Sequence, residues 1–145
     1  MILPKFAASA MVASLLIAGP ALAADGPQSV LGKWRTPSKN GVVEIARCGA
    51  SICGRLLESD HLRTNPDLRD VNNKETGKRT RKLKGLQLLG GFTGEAKQWS
   101  GGTIYNPEDG GTYKATITPA GNDTLKLKGC IVWPLCKTQT WTRIR

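Results

Sequence analysis

Short stretches of alternating polar and apolar residues, separated by turn residues, run from Leu31 to the end of the chain. Turn residues such as Asn40-Gly41 and Asp109-Gly110-Gly111 stand between nearly all of them. Each stretch is about five to eight residues long, the usual length of a β-strand, and none shows a helical period. The pattern predicts eight strands: LGKWRT, VVEIAR, GRLLES, GLQLLGGF, WSGGTIY, TYKATIT, TLKLKGC and TQTWTRI.

Eight short strands joined in sequence order limit the possible folds. A meander of antiparallel strands leaves two exposed edges unless the last strand pairs with the first. We therefore expect an all-β fold, a single eight-stranded up-and-down antiparallel barrel. In such a barrel the loops after strands one, three, five and seven share one end, which we call the mouth. The other loops and the first residues of strand one lie at the opposite, closed end.

The first 23 residues have the pattern of a signal peptide. Lys5 precedes an apolar run from Met11 to Ala18, and Ala21-Leu22-Ala23 matches a cleavage site. The apolar run is shorter than the ~18–20 residues that a membrane-spanning helix needs. We predict a signal peptide over residues 1–23, one barrel domain over residues 24–145, and export to the periplasm or the medium.

Export makes disulfides the first interpretation of the four cysteines, ahead of metal binding or catalysis. The meander places the loop of Cys48 and Cys53 at the end opposite that of Cys130 and Cys136. Because the Cα atoms of a disulfide are usually ~4.4–6.8 Å apart, pairing across the barrel length is strongly disfavoured, and the local pairing is favoured among the three possible connectivities. We predict the local pairs Cys48–Cys53 and Cys130–Cys136.

Setting the two cysteines of each pair opposite one another gives a register for each hairpin. Both registers separate a mostly apolar face from a mostly polar face that carries the cysteines, as a half-buried sheet requires. The apolar face of the first hairpin holds Val43, Ile45 and Leu56. That of the second holds Leu125, Leu127 and Trp141, together with Arg143.

The residues give little support to catalysis. The single histidine, His61, stands in a segment that the pattern predicts to be a loop, and no nucleophile motif accompanies it. Asp60 and His61 are too few for a metal site. Disulfide-bonded cysteines leave no thiolate. We predict a protein that is not an enzyme and has no cofactor or metal.

A basic segment follows the third strand. Arg69 to Lys84 holds seven basic and two acidic residues, within a chain of net charge +10. It is either a solvated loop or a flap that attracts anions. Because no aromatic residue interleaves the charges, nucleic acid is not expected as a partner. The candidate anion-binding residues are Lys78, Arg79, Arg81, Lys82 and Lys84.

The turn between the last two strands, Ile131 to Leu135, is unusually apolar. It either folds back as core or contacts a ligand, membrane or partner. With the basic segment at the same end, it favours a small apolar or anionic amphiphilic ligand at the mouth, although inward aromatic residues often only fill small barrels. The candidate ligand-binding residues are Trp133, Leu135, Tyr113, Ile117 and Trp141. The alternative is a protein that binds anionic lipid or envelope polymer through the basic segment, with a solid barrel.

Gly32 and Trp34 on the first strand, with Arg143 on the last, resemble the lipocalin pattern. In lipocalins a Gly-x-Trp tryptophan closes one barrel end and a late arginine packs over it. The meander brings the start of the first strand and the finish of the last strand to the same end, so the two side chains can meet as a cation–π pair.

A further resemblance covers most of the chain. The segments GKWRT, VVEIARCGASICGRL, DVNN, LKGLQLLGGF and the ending TQTWTR are similar to the bacterial exported family named domain of unknown function 2147. Members commonly carry an Arg-Pro pair where this chain has Arg81-Lys82, so the basic segment is partly particular to this chain. The resemblance implies a small exported β-barrel and no assigned activity.

Overall fold

Eight antiparallel strands form a closed barrel in a computed structural model of the chain. The structure describes residue 19, residues 29–95 and residues 97–145. Each strand pairs with its neighbours in sequence, and the last closes on the first, which confirms the predicted up-and-down barrel. The strands are β1 (Gly32–Arg35), β2 (Val42–Cys48), β3 (Ser51–Glu58), β4 (Gln87–Glu95), β5 (Gln98–Asn106), β6 (Gly111–Pro119), β7 (Thr124–Val132) and β8 (Leu135–Ile144).

Two short helices lie in the long connection between β3 and β4, an α-helix α1 (Asp60–Thr64) and a single 3₁₀ turn (Thr76–Lys78). The sequence predicted a loop here. Ser59 caps α1, because its hydroxyl accepts a hydrogen bond of 3.2 Å from the Leu62 N–H. Leu62 is buried against the core, which gives the helix its one apolar contact with the barrel.

The second hairpin has the predicted register, whereas the first does not. Cys130 lies opposite Cys136, but Cys53 lies opposite Ala46 and not opposite Cys48. The reason is the turn: Gly49 adopts a φ of 64°, which permits a two-residue connection and starts β3 at Ser51. The predicted apolar face of this hairpin is unchanged, with Val43 opposite Leu56.

Both cysteine pairs lie at disulfide distance, in the pairing that the sequence predicts. Cα atoms are 5.9 Å apart in the Cys48–Cys53 pair and 4.0 Å apart in the Cys130–Cys136 pair. The first pair clamps the hairpin at the closed end, and the second clamps the hairpin at the mouth.

The predicted signal peptide, residues 1–23, lies outside the described residues except for residue 19. Within the described part of the chain, no helix combines the length and the apolar character needed to cross a membrane.

Arg143 and Trp34 meet at the closed end of the barrel. The Arg143 guanidinium carbon lies 4.2 Å from the centroid of the Trp34 ring, and Nη1 donates to the Leu31 carbonyl at 2.8 Å. Trp34 is 1% exposed and donates its indole N–H to the Val30 carbonyl. Gly32 is required here, because a Cβ at its φ of 121° would stand 2.9 Å from Arg143 Nη1. The structure thus brings together the three residues predicted to close the barrel.

The half of the barrel next to the closed end is filled by side chains. Phe92 is fully buried and packs where Gly102 leaves room, because a Cβ on Gly102 would overlap the Phe92 ring. Gly54 likewise leaves room for Leu89, because a Cβ added to Gly54 would lie 2.9 Å from Leu89 Cδ1. The other fully buried residues of this core include Ile45, Ile52, Ile117 and Leu125.

Candidate functional site

A cavity of about 980 Å³ occupies the mouth half of the barrel. The connections β1–β2, β3–β4, β5–β6 and β7–β8 surround its opening. Its wall is largely apolar and is formed by Val43, Leu56, Leu68, Leu83, Leu88, Ile104, Leu127 and Trp141. Polar side chains concentrate at the rim, among them Lys39, His61, Arg69, Asn72, Glu108 and Lys137.

An inward-facing glycine helps to keep this half open. Gly129 lies in the middle of β7 and lines the cavity. A Cβ added there would be 3.5 Å from Ile104 Cγ2 and 3.9 Å from Tyr113 Cβ, which are ordinary contacts. Among the described residues, no large side chain occupies the space over Gly129, in contrast to Phe92 over Gly102. A glycine between Lys128 and Cys130 is the sequence signal that could have indicated this position.

Trp141 lines the cavity with little exposure to solvent. It is 2% exposed, and its indole N–H donates a hydrogen bond of 3.0 Å to Gln139 Oε1. Gln139 also lines the cavity, so the indole is paired within the wall itself. The cavity wall therefore offers a broad aromatic surface, and the indole nitrogen of that surface already has a hydrogen-bond partner.

The structure brings three of the five candidate ligand-binding residues to the cavity. Tyr113, Leu135 and Trp141 line it, and the Tyr113 hydroxyl donates to Asp109 Oδ2 at 2.7 Å. Ile117 is fully buried in the filled half of the barrel and has no place in the cavity wall. Trp133 is 77% exposed, and the Lys128 ammonium lies 4.7 Å from the centroid of its ring. It therefore stands outside the cavity.

The β3–β4 connection supplies one side of the cavity. Leu68 and Leu83 from its two arms line the interior, and the Leu83 N–H donates to the Leu68 carbonyl at 2.9 Å. The connection also contacts the β5–β6 turn across the rim, because Asn72 Nδ2 donates to the carbonyls of Pro107 and Glu108, both at 3.2 Å. The connection is therefore fastened to two sides of the mouth.

A buried carboxylate fixes this connection to the barrel wall. Asp70 is 1% exposed and accepts hydrogen bonds from the Tyr105 hydroxyl at 2.5 Å, Asn73 Nδ2 at 2.8 Å and Arg81 Nε at 2.8 Å. The Arg81 guanidinium also lies over the Tyr105 ring, 5.2 Å from its centroid. We call these four residues the Asp70 cluster. The sequence patterns did not predict this cluster, and the segment DVNN within a basic run is the signal that could have indicated it.

The Asp70 cluster changes the acidity of its tyrosine. Burial, together with the hydrogen bond to Asp70 and the charge of that carboxylate, raises the pKa of Tyr105 to about 12. At the rim, burial acts to raise the pKa of Asp109, but hydrogen bonds from Tyr113, the Gly111 N–H and Asn106 outweigh it and lower that pKa.

Four of the five candidate anion-binding residues are engaged within the protein. Lys78 pairs with Glu75, Lys82 with Asp67, and Arg81 with Asp70. Arg79 donates from Nε to the Asn73 carbonyl at 2.7 Å, and Lys84 is exposed. The alternative interpretation also required a solid barrel, which the cavity contradicts.

His61 stands in α1 at the rim, exposed to solvent. Among the described residues, no group of three or more His, Cys, Asp or Glu side chains could hold a metal ion. The apolar cavity can remove an apolar molecule from water, and the polar and charged side chains of the rim can contact the part of that molecule that stays at the opening.

The barrel is similar to a solved structure, protein HP1028 from the human pathogen Helicobacter pylori, which belongs to the lipocalin family. The two chains share 23% sequence identity with a TM-score of 0.71, over 79% of this chain and 82% of that chain. At this identity the likeness shows a lipocalin-like fold and no function. No curated protein matches the sequence.

The family comparison covers nearly the whole barrel. A family model described as an uncharacterized protein conserved in bacteria (DUF2147) matches residues 32–143, from the start of β1 to Arg143 near the end of β8. The match includes both cysteine pairs, the Asp70 cluster and the cavity wall. The chain therefore belongs to the DUF2147 family.

Proposed function

We propose that this protein binds a small apolar or anionic amphiphilic molecule in the barrel cavity, without catalysis. The observation that carries the proposal is the cavity of about 980 Å³, walled by aliphatic residues and Trp141. Sites for small molecules are commonly concave, mainly apolar and ~300–1,000 Å³ in volume. A lipocalin-like barrel, filled in one half and hollow in the other, is consistent with such a site.

The rim favours an anionic head group over a neutral one. Lys39 and Lys137 are exposed at the opening. The cavity lining holds three cations, Lys39, Arg69 and Lys137, against two carboxylates. Those carboxylates keep their charge but already accept hydrogen bonds, Glu108 from the Ser38 hydroxyl at 2.9 Å and Asp109 from Tyr113. A carboxylate or sulfonate on the ligand would meet the ammonium groups while its apolar part leaves water.

The two disulfides support export, because such bonds persist mainly in oxidising compartments. On this basis, together with the predicted signal peptide, we propose that the protein is exported to the periplasm or the medium. There the ligand would be a component of the envelope or of the surroundings.

Two measurements test the proposal. Native mass spectrometry of the protein purified from its own bacterium should detect a small molecule that travels with it. The fluorescence of 1-anilinonaphthalene-8-sulfonate, an anionic amphiphile, should report binding to the emptied protein. The variant Gly129→Phe places a ring inside the cavity and should weaken dye binding by about tenfold or more, because the ring occupies volume and covers apolar wall that the dye would otherwise use.

Thr140→Phe is the matched control, because Thr140 is exposed on the outer face of β8 and receives the same side chain. This variant should bind the dye like the original protein. Thermal unfolding checks that both variants fold. A folded Gly129→Phe protein that binds the dye with unchanged affinity would show that the dye lies elsewhere and would overturn the proposal.

A further inference from the structure

The large apolar side chains that remain exposed gather at the mouth. In the part of the chain that the structure describes, they are Val71, at 63% exposure, and four residues of the β7–β8 hairpin. Those four are Ile131 at 73%, Val132 at 60%, Trp133 at 77% and Leu135 at 64%. We call this hairpin end, residues 131–135, the apolar tip. Single exposed apolar residues are ordinary, but a cluster of this kind marks a contact surface.

The apolar tip is held in place by its own covalent clamp. The Cys130–Cys136 disulfide joins the two strands immediately below it, where these residues lie directly opposite one another. The tip therefore cannot spread its strands to bury its side chains in the cavity. Leu135 and Ile131 touch the cavity wall from the rim, and both keep most of their surface outside.

The wall that carries the apolar tip is cationic. Strands β6, β7 and β8 contain no aspartate or glutamate. Lys128 lies under the Trp133 ring, and Lys114 is opposite Cys130 at the base of the tip. The lysines of these three strands are Lys114, Lys126, Lys128 and Lys137.

We propose that the apolar tip docks the mouth of the barrel on an anionic lipid bilayer. An apolar tip with a tryptophan, on strands that carry several lysines, has the composition that suits the boundary between acyl chains and negative head groups. The tip would enter ~5–10 Å below the head groups, while each nearby lysine adds ~1 kcal/mol of attraction to an anionic surface.

A second copy of the chain is a poorer occupant of the same surface. A symmetric dimer through the tips would bring Lys114, Lys128 and Lys137 of each copy near those of the other, without an acidic side chain on β6, β7 or β8 to oppose them. A negatively charged bilayer matches both the apolar character of the tip and the positive charge of the strands that carry it.

Docking would also place the cavity opening against the lipid, because Ile131 and Leu135 belong to the tip and to the cavity rim. An apolar molecule could then pass between membrane and cavity with little contact with water. The docking itself does not depend on what the cavity binds.

Tryptophan emission offers a direct test with the full chain. Trp34, Trp99 and Trp141 are at most 8% exposed, and residues 1–23 contain no tryptophan, so Trp133 should dominate any change on contact with lipid. Phosphatidylglycerol vesicles should shift the emission to shorter wavelength and cosediment with the protein, and phosphatidylcholine vesicles should do neither. High salt should weaken the association.

The double variant Ile131→Ser, Trp133→Ser should bind phosphatidylglycerol vesicles at least about tenfold more weakly than the original protein. Trp133→Phe should keep the binding and lose the emission shift. All variants carry the same N-terminus, so any contribution from residues 1–23 is common to them. Equal binding by the double variant, or a dimer in the absence of lipid that this variant abolishes, would overturn the proposal.

Gly129→Phe separates this proposal from the proposed function. That variant should lose dye binding and keep vesicle binding, because Gly129 faces the cavity and not the tip. Vesicle binding that depends on the tip, in a protein that never binds the dye, would support docking and count against the cavity ligand.

Discussion

The two halves of the barrel use the same eight strands and differ in what lies between them. In the closed half, Gly102 faces Phe92 and the ring fills the space that the glycine leaves. In the mouth half, a Cβ added to Gly129 would only reach ordinary contact distances from Ile104 and Tyr113, and a cavity of about 980 Å³ lies beside these residues. An inward glycine therefore permits either a larger partner or an empty space, and the side chains beside it on the nearby strands determine which.

The halves also differ in how they resist unfolding. The closed half depends on dense apolar packing and on the Arg143–Trp34 contact. The mouth half depends on polar anchors, above all Asp70, and on the Cys130–Cys136 disulfide. Stability should therefore concentrate in the closed half, which leaves the mouth half free to expose apolar surface to a ligand.

The largest difference between the halves should appear when an apolar side chain is removed from each. Phe92→Ala should lower the free energy of unfolding by about 3–5 kcal/mol, because it leaves a cavity in packed surroundings. Leu135→Ala at the exposed tip should change it by less than about 0.5 kcal/mol. Urea unfolding measures both, and equal losses would contradict the division into a filled and an open half.

Replacing each of the two inward glycines by alanine tests the difference between the filled half and the open half. Gly102→Ala should destabilise the protein by about 1–3 kcal/mol, because the new Cβ would overlap Phe92. Gly129→Ala should be neutral or slightly stabilising, since its Cβ would stand 3.5 Å from Ile104 and alanine lowers the entropy of the unfolded chain. Chemical unfolding under identical conditions measures the difference, and a loss at Gly129 equal to that at Gly102 would contradict it.

The most gradual effect should come from alkaline pH at the mouth. The pKa of Tyr105 is raised to about 12, so the folded state favours the neutral phenol more than the unfolded state does. This contribution to stability is complete below the unfolded pKa of ~10 and is lost as the pH rises from there towards the folded value. Unfolding experiments across this interval should show stability falling.

Tyr105→Phe is the control for this titration, because it removes the phenol and retains the ring beneath Arg81. The fall in stability above the unfolded pKa should become shallower in the variant, and Tyr113, whose pKa Asp109 also raises, accounts for part of what remains. An identical slope in the two proteins would assign the effect to other groups.

The sequence indicates the barrel well because each of its determinants is local. Strand alternation, turn residues and the cysteine spacing all lie within about ten residues, and they predict eight strands and the register of the Cys130–Cys136 hairpin. The predicted register of the hairpin at Cys48 is wrong, because Gly49 with its positive φ shortens the turn and places Cys48 opposite Ser51. Nothing in the letters CGASIC distinguishes the two possible turns.

The site depends on contacts between distant residues, so less of it could be predicted. Ile117 and Trp141 both face inwards, yet one is enclosed by core and the other borders a cavity. The choice follows from how the whole barrel is filled, which strand alternation does not encode. Asp70 binds Arg81 and Tyr105, which lie 11 and 35 residues further along the chain.

The Arg143 contact at the closed end has a practical consequence. Its guanidinium donates to the carbonyls of Leu31 and Ser29, while Arg145 pairs with Asp123 nearby, so both ends of the barrel sequence emerge opposite the mouth. A fusion partner or an immobilising tag at either end would therefore present the opening outwards. A biosensor could be attached to a chip through the closed end, with the hollow half left accessible to the sample.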